Sequence, residues 1–243
     1  MGFLKESQGC PKKAIKKVSR LRVAVLISGG KDSALALHRA LRGDYDVEFL
    51  VAMVPRREDS WMFHYPNIHM ADLFAEAAGI PLMKTETSGF REVELEDLKR
   101  LLRKLDIEGV VTGAVSSEYQ KTRIDKVCEE LRLVSISPLW HEDPIELLRE
   151  IINEKFDVLI VGVYAYGFDS SWLGRQFNQE TVDALIQLNK KYGISLVGEG
   201  GEYESLVLDA PFFKKKIKLL SVERIWKGQS GYLLVKKAEL ESK

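Results

Sequence analysis

The segment from Arg22 to Leu41 constrains this chain more than any other. Arg22-Val-Ala-Val-Leu-Ile27 is a short apolar, β-branched run that halts at Ser28 and the paired glycines Gly29 and Gly30. From Ser33 the pattern resumes with Leu35, Leu37, His38 and Leu41 at roughly helical spacing, so the order is strand, glycine turn, helix. Adjacent glycines let the backbone turn tightly and approach a ligand without Cβ collision, which aims successive N–H groups at oxygen atoms. The helix adds its own N-terminal donors and dipole, making the turn a cradle for phosphate or pyrophosphate. Ser28 and Ser33 supply hydroxyls, and Lys31, read as an exposed loop lysine, supplies a point charge. The spacing fits neither Gly-x4-Gly-Lys-Ser/Thr nor Gly-x-Gly-x-x-Gly.

Strand and helix patterns keep alternating downstream. Val47–Val54 is an apolar run ending at Pro55, Arg56–Pro66 is a polar and aromatic loop, and a helix is expected over Ile68–Ala78. Strands are expected at Ile80–Lys84, Gly109–Thr112 and Val134–Ser137, with helices over Val93–Leu105 and Tyr119–Leu131 between them. Strands so continuously apolar have no wet face, which predicts a doubly wound parallel sheet covered by helices on both sides. Asp143-Pro144 is a helix start with an N-cap and a first-turn proline, and the helix should run to Glu154. Beyond it come a strand at Val158–Val163, a Gly/Ser/aromatic loop through Arg175 and a helix over Gln179–Tyr192. Strands at Ser205–Leu208, Ile217–Ile225 and Gly231–Val235 complete the pattern, the last two as a hairpin around Lys227-Gly-Gln-Ser-Gly231. The second half is therefore a smaller α+β unit. The expected division is a basic tail over 1–20, an α/β unit over 21–140 and the α+β unit over 141–243.

Charge narrows the partners. Lys+Arg 36 against Asp+Glu 36 leaves no global positive field to collect nucleic acid or an anionic membrane, so any anion site must be local. Cys10 and Cys128 are too few and too distant for a disulfide framework, which points to a reducing, cytoplasmic setting. The most apolar segment, Val158–Phe168, is about half the length of a membrane-spanning helix, and no membrane association is expected. The N-terminus lacks the marks of an acylation or secretory signal, and its Lys12, Lys13, Lys16, Lys17 and Arg20 read as a solvated tail. Neither His64 nor His69 has a partner at zinc-ligand spacing.

Two further stretches carry chemistry. Gly113-Ala-Val-Ser-Ser-Glu-Tyr-Gln-Lys-Thr-Arg123 comes directly after a sheet strand, where doubly wound sheets place ligands beyond the carboxyl ends. Ser116, Ser117 and Gln120 offer hydrogen bonds there, while Lys121 and Arg123 face either phosphate or solvent. In Gly198-Glu-Gly-Gly-Glu-Tyr-Glu-Ser205, Glu199, Glu202 and Glu204 interleave with glycines. That loop suits a cation, Mg2+ or an amine, or else is an acidic surface turn.

Ser28–Ser33 resembles the PP-loop, Ser-Gly-Gly-x-Asp-Ser, of the N-type ATP pyrophosphatases. Together with Met62-Phe-His-Tyr-Pro-Asn67, Gly113–Arg123, Ala165–Arg175, Gly198–Ser205 and Leu208-Asp-Ala-Pro211, the chain from Leu21 onward looks like the short form of the diphthine–ammonia ligase family. The resemblance implies a HUP-type ATP-binding domain and a smaller family-specific domain. It also implies a reaction in which ATP adenylates the diphthine carboxyl of elongation factor 2 and ammonia displaces AMP, giving diphthamide. Carried over, Ser28, Gly29, Gly30, Lys31, Asp32 and Ser33 would hold the ATP phosphates, with Mg2+ at Asp32. Met53, Gly113, Ser116, Ser117, Glu118, Lys121 and Arg123 would line the nucleotide side. Glu199, Glu202 and Glu204, with Lys31, would do the catalytic work toward acceptor and ammonia. Diphthine also carries a quaternary ammonium, for which Glu202, Tyr203, Trp172 and Tyr166 are wall residues in this reading, and Trp61, His64 and Tyr65 a lid. Two alternatives share the phosphate loop, a tRNA-modifying enzyme and a non-catalytic ATP-binding module. The balanced charge and the lack of a close cysteine pair weigh against the first. Homo-oligomerisation stays open.

Overall fold

Period-two alternation along the early strands sorts their side chains onto two faces, and each face has its own core. The computed structural model describes residues 20–55, 67–87 and 91–243. Strand β1 (Leu21–Leu26) lies between β2 (Tyr45–Pro55) and β4 (Gly109–Val111), with β3 (Leu82–Thr87) outside β2 and β5 (Val134–Ile136) outside β4. All four pairings are parallel. Helices α1 (Lys31–Arg42), α2 (Ala71–Ala78), α3 (Arg91–Leu102) and α4 (Glu118–Leu131) make the crossovers. Val23, Val25, Leu50, Ala52 and Val111 face α1 and α2. Ala24, Val51, Met53 and Val110 face Leu98 and Leu102 of α3 and Ile124 and Val127 of α4. The doubly wound sheet read from the sequence is what the structure contains.

The second sheet is antiparallel. It holds β6 (Asp157–Val163), β7 (Tyr203–Asp209), β8 (Lys215–Lys227) and β9 (Ser230–Ser242) in the order β7-β6-β9-β8, with α5 (Pro144–Asn153) and α6 (Gln179–Tyr192) beside it. Asp143 caps α5 by accepting from the amides of Ile145 and Glu146 at 2.8 and 3.1 Å, an arrangement that contributes about 1 kcal/mol. The expected β8–β9 hairpin forms, but β9 continues to Ser242, past the Val235 limit expected for it. Lys236–Ser242 has no apolar run to betray a strand. Its register on β8 instead brings Glu241 within 2.9 and 3.0 Å of Lys216 and Lys218, so cross-strand charge pairs accompany the ladder. The helix expected over Ile68–Ala78 opens with a 3-10 turn, Ile68–Met70, before α2.

The core beside α1 and α2 does not stop at the first sheet. It runs on through Val158, Ile160, Leu206, Val207, Leu233 and Val235 of the second, each nearly fully buried and each worth roughly 1.5–3 kcal/mol of apolar transfer. Asn67 stitches the same seam, donating to the Leu233 carbonyl at 2.7 Å and accepting from the Val235 amide at 3.0 Å. The carboxyl ends of β1 and β4 therefore open against β7. The tail with Cys10, and the Arg56–Pro66 loop with Trp61, His64 and Tyr65, lie outside the described residues. Among the described residues no helix is long and apolar enough to cross a membrane.

Candidate active site

At the end of β1 the chain turns through Gly29 with φ +83°, a left-handed conformation that glycine adopts without strain. Ser28 Oγ accepts from the Gly30 amide at 3.3 Å, and Ser33 Oγ donates to the Gly30 carbonyl at 3.0 Å while accepting from the Ser28 amide at 3.3 Å. Both hydroxyls thus shape the loop itself. Strand β7 clasps it from outside. The Val207 amide donates to the Gly29 carbonyl at 2.9 Å, and Ser205 Oγ accepts from the Lys31 amide at 3.1 Å, at the start of α1.

Lys31 corrects the sequence reading. It is not an exposed loop lysine but the first residue of α1, 2% exposed. Its ammonium donates to the Val197 carbonyl at 2.5 Å and to Asp32 at 2.8 Å, and lies 4.9 Å from the centroid of the Tyr203 ring. The cause is long-range. The Gly198–Ser205 segment folds over the loop and supplies an acceptor and an aromatic face, which together make burial of the charge tolerable.

Gly113 shows how closely the turn after β4 approaches. A Cβ there would stand 2.8 Å from the Asp32 carbonyl and the Ser33 amide, so backbone meets backbone and only glycine fits. Glu199 then ties the acidic loop to this turn, accepting from the amides of Val115 and Ser116 at 2.8 and 2.6 Å and from Ser116 Oγ at 2.9 Å. The sequence reading put Ser116 and Glu199 on opposite sides, and the structure joins them. Glu202 turns back into its own loop, where Oε1 accepts from the Ser195 amide at 2.9 Å and buried Oε2 meets no hydrogen-bond donor among the described residues. Tyr203 is buried, with its hydroxyl donating to the Leu196 carbonyl at 2.8 Å.

These pieces enclose a cavity of about 140 Å3. It brings together Ser28, Gly30, Lys31, Asp32, Ser33, Gly113, Glu199 and Glu204, with Leu26, Ile27, Val51, Ile124 and Val161 as its apolar part. Most of the other expected site residues are not part of its lining. Gly29 is held against β7 through its carbonyl, and Met53 is buried at the end of β2, toward α3 and α4. Ser117 caps α4 by accepting from the Gln120 amide at 3.3 Å. Glu118 is exposed, 3.8 Å from His141. Lys121 pairs with Asp125 at 2.6 Å, and the Arg123 guanidinium lies 3.8 Å from the Tyr119 ring centroid. Trp172 is buried against Phe168, whereas Tyr166 is exposed. Thr112, Asn67 and Ser205 line the cavity without having been singled out. Thr112 follows the carboxyl end of β4, where open sheets bind ligands, a placement that could have singled it out.

The cavity fits a polyphosphate. The N-terminus of α1 opens into it, and its carboxylates are the hard oxygen donors that Mg2+ takes one or two of when it arrives with phosphate. Among the described residues no cluster of three or more His, Cys, Asp or Glu forms a metal cage. Cys128 is buried on α4, and burial pushes its thiol up to about 11, away from thiolate chemistry.

Known proteins share the same two-part layout. The profile described as diphthamide synthase N-terminal domain matches residues 21–135, and that described as diphthamide synthase C-terminal domain matches residues 143–240. The chain is 38% identical over 226 residues to the diphthine–ammonia ligase of Homo sapiens, with 84% of each chain covered. To that of Schizosaccharomyces pombe it is 37% identical, covering 89% of this chain and 39% of the longer relative. Among solved structures, a predicted subunit of tRNA methyltransferase from Methanocaldococcus jannaschii aligns at a TM-score of 0.41 and 17% identity, covering 81% of this chain and 99% of that one, too loosely to bear on function. With both profiles matched and relatives this similar over most of its length, the chain belongs to the diphthamide synthase family of ligases.

Proposed function

We propose that this chain uses ATP with Mg2+ to adenylate the diphthine carboxyl group of elongation factor 2 and passes the activated acyl group to ammonia, giving diphthamide, AMP and pyrophosphate. The observation that carries this reading is the shared cavity, in which the Ser28–Ser33 loop and the N-terminus of α1 face Glu199 and Glu204 from the other half of the chain. A carboxylate oxygen attacks the α-phosphorus and pyrophosphate leaves; ammonia then attacks the acyl carbon, AMP leaves with the bonding electron pair, and a proton is lost to solvent. An ionised carboxylate needs no base for the first step. The chain's task there is positioning and charge stabilisation.

In this proposal Ser28, Gly29, Gly30, Asp32 and Ser33 hold the phosphates through the loop and the first turn of α1. Lys31 contributes positive potential from beneath the loop. Gly113 keeps the floor low, and Ser116, Ser117, Glu118, Lys121, Arg123 and the Met53 backbone border the nucleoside end. Mg2+, when bound, neutralises phosphate charge, with Asp32 as its carboxylate. Glu204 serves the acceptor and ammonia side, Glu199 fixes the turn after β4 that borders it and Glu202 braces its own loop through Ser195, with the nucleotide part ending near residue 140 and the acceptor part beginning there.

The test incubates the pure protein with Mg-ATP, ammonium and diphthine-bearing elongation factor 2, and tracks AMP release together with the mass change of the factor. AMP formed only when all components are present is the expected result. Release of ADP, or AMP formation indifferent to the factor, would overturn the proposal.

A further inference from the structure

We propose that Asn67 is a positioning residue for the nucleotide: it pins the 3-10 turn that follows it to β9, and so holds Ile68 as an apolar wall against the nucleoside of ATP. The inference rests on the nucleotide reading above and deepens it, by naming a residue that acts on the base and sugar rather than on the phosphates. Its foundation is an open strand edge. Successive residues of a strand turn their backbone groups to opposite edges, and β9 gives one edge to β8. Among the described residues, its other edge meets β6 at Gly231 and Tyr232. Beyond Tyr232, the backbone groups of Leu233 and Val235 on that edge need other partners.

Asn67 and His69 supply them. The Asn67 carboxamide donates to the Leu233 carbonyl at 2.7 Å and accepts from the Val235 amide at 3.0 Å, while His69 Nε2 stands 3.0 Å from the Val235 carbonyl, as its donor. Two side chains thus do what a neighbouring strand would. Ile68 lies between them in the chain and is fixed from both sides. Asn67 is itself buried, so water does not readily replace either of its bonds.

Ile68 is where the pinning reaches the site. It is buried and lines the cavity, as does Ala114. Every other buried apolar residue among those described belongs to one of the two cores, whereas these two belong to neither. Their side chains are committed to the cavity wall instead. A nucleoside presents a flat, largely apolar base that gains from such contact, and a polyphosphate does not. The phosphate end is built separately, from Ser28–Ser33 clasped by Ser205, through hydrogen bonds that do not involve Asn67. The two ends of one ligand are therefore held by different parts of the chain, and the role of Asn67 can be separated by experiment.

The probes are Mg-ATP and Mg-tripolyphosphate, titrated calorimetrically into the full chain. Ile68→Ala is expected to weaken ATP by about tenfold or more and to leave tripolyphosphate within about twofold. Asn67→Asp is nearly isosteric and still accepts from the Val235 amide, but its carboxylate has no hydrogen for the Leu233 carbonyl, and it should show the same split. In the double variant the second change should add less than about twofold, because both act through one wall. Asn67→Ser, which removes the carboxamide without adding charge, takes the place of the aspartate variant if that one does not fold, and all titrations are run below the unfolding midpoint. Unaltered ATP affinity in either folded single variant, an equal loss for tripolyphosphate, or losses that multiply in the double variant would overturn the inference. If the parent chain binds ATP and the variants match it, this inference alone fails. A parent chain that does not bind ATP removes the nucleotide reading and this inference with it.

Discussion

Replacing Lys31 by Met tests whether the phosphate loop is built around a buried charge. The substitution keeps most of the hydrocarbon stem and deletes the ammonium, which leaves the Val197 carbonyl and the Asp32 carboxylate without that donor. A buried acceptor deprived of a charged donor costs about 1–3 kcal/mol. Breaking a fully buried ion pair costs about 3–5 kcal/mol, but the Asp32 side chain is 29% exposed and keeps access to water, so its share is discounted. The two together come to about 3 kcal/mol, which for a chain of this size lowers Tm by about 6–12 °C. Thermal unfolding read by circular dichroism, with a urea titration for the reversible part, measures it directly. A Tm within about 2 °C of the parent would refute the argument, because a charge this cheaply removed is not held as described. One practical consequence is that loss of turnover in any Lys31 variant counts as chemistry only below that variant's unfolding range.

Three further outcomes are expected. Gly113→Ala would push its Cβ into the backbone of Asp32 and Ser33, cost about 1–3 kcal/mol and weaken Mg-ATP binding at least tenfold by calorimetry; unchanged affinity would show that the turn moves freely. In Glu199→Gln the amide oxygen can no longer serve all three donors with charge, so hydrogen exchange at the Val115 and Ser116 amides should accelerate by about tenfold, and unaltered protection would contradict the clasp. His38 is held below the usual histidine value chiefly by burial, against the pull of Glu154. The unfolded chain therefore binds its proton first, and this histidine's contribution to stability is full above about pH 6.5 and declines as pH falls toward its folded value. A proton titration of the His38 ring with its midpoint above the usual value would reverse that sign.

Where local pattern decides structure, the sequence could be read almost residue by residue. Asp143-Pro144 announces both the cap and the first turn of α5, and the glycine pair after Ile27 marks the turn into α1, because each depends on backbone chemistry a few residues long. Lys31 could not be read in this way. Its burial depends on Val197, 166 positions away, and on the Tyr203 ring, and nothing in Ser-Gly-Gly-Lys-Asp-Ser records that another loop will cover it. Glu199 and Glu202 look alike in the sequence, two carboxylates in one glycine-rich loop. One reaches the turn after β4 and the other returns to Ser195, a difference set by where the glycines let the chain cross rather than by side-chain type. The far half of β9 was hard to see because its apolar face is only Ala238 and Leu240, set among charged residues of which Glu241 pairs with Lys216 and Lys218 of β8.

The clasp of β7 on the glycine loop also bears on how such an enzyme comes into being on the ribosome. A nascent chain that has emerged only as far as β5 already holds Ser28–Ser33, yet it lacks the Ser205 hydroxyl, the Val197 carbonyl and the Tyr203 ring that hold Lys31 and the first amide of α1 in place. The phosphate loop is finished by residues translated about 170 positions after it begins. A truncated product would carry the ATP motif intact in its sequence while missing the protein surface against which that motif is shaped. Completion of the chain, rather than appearance of the motif, is the event that makes the site.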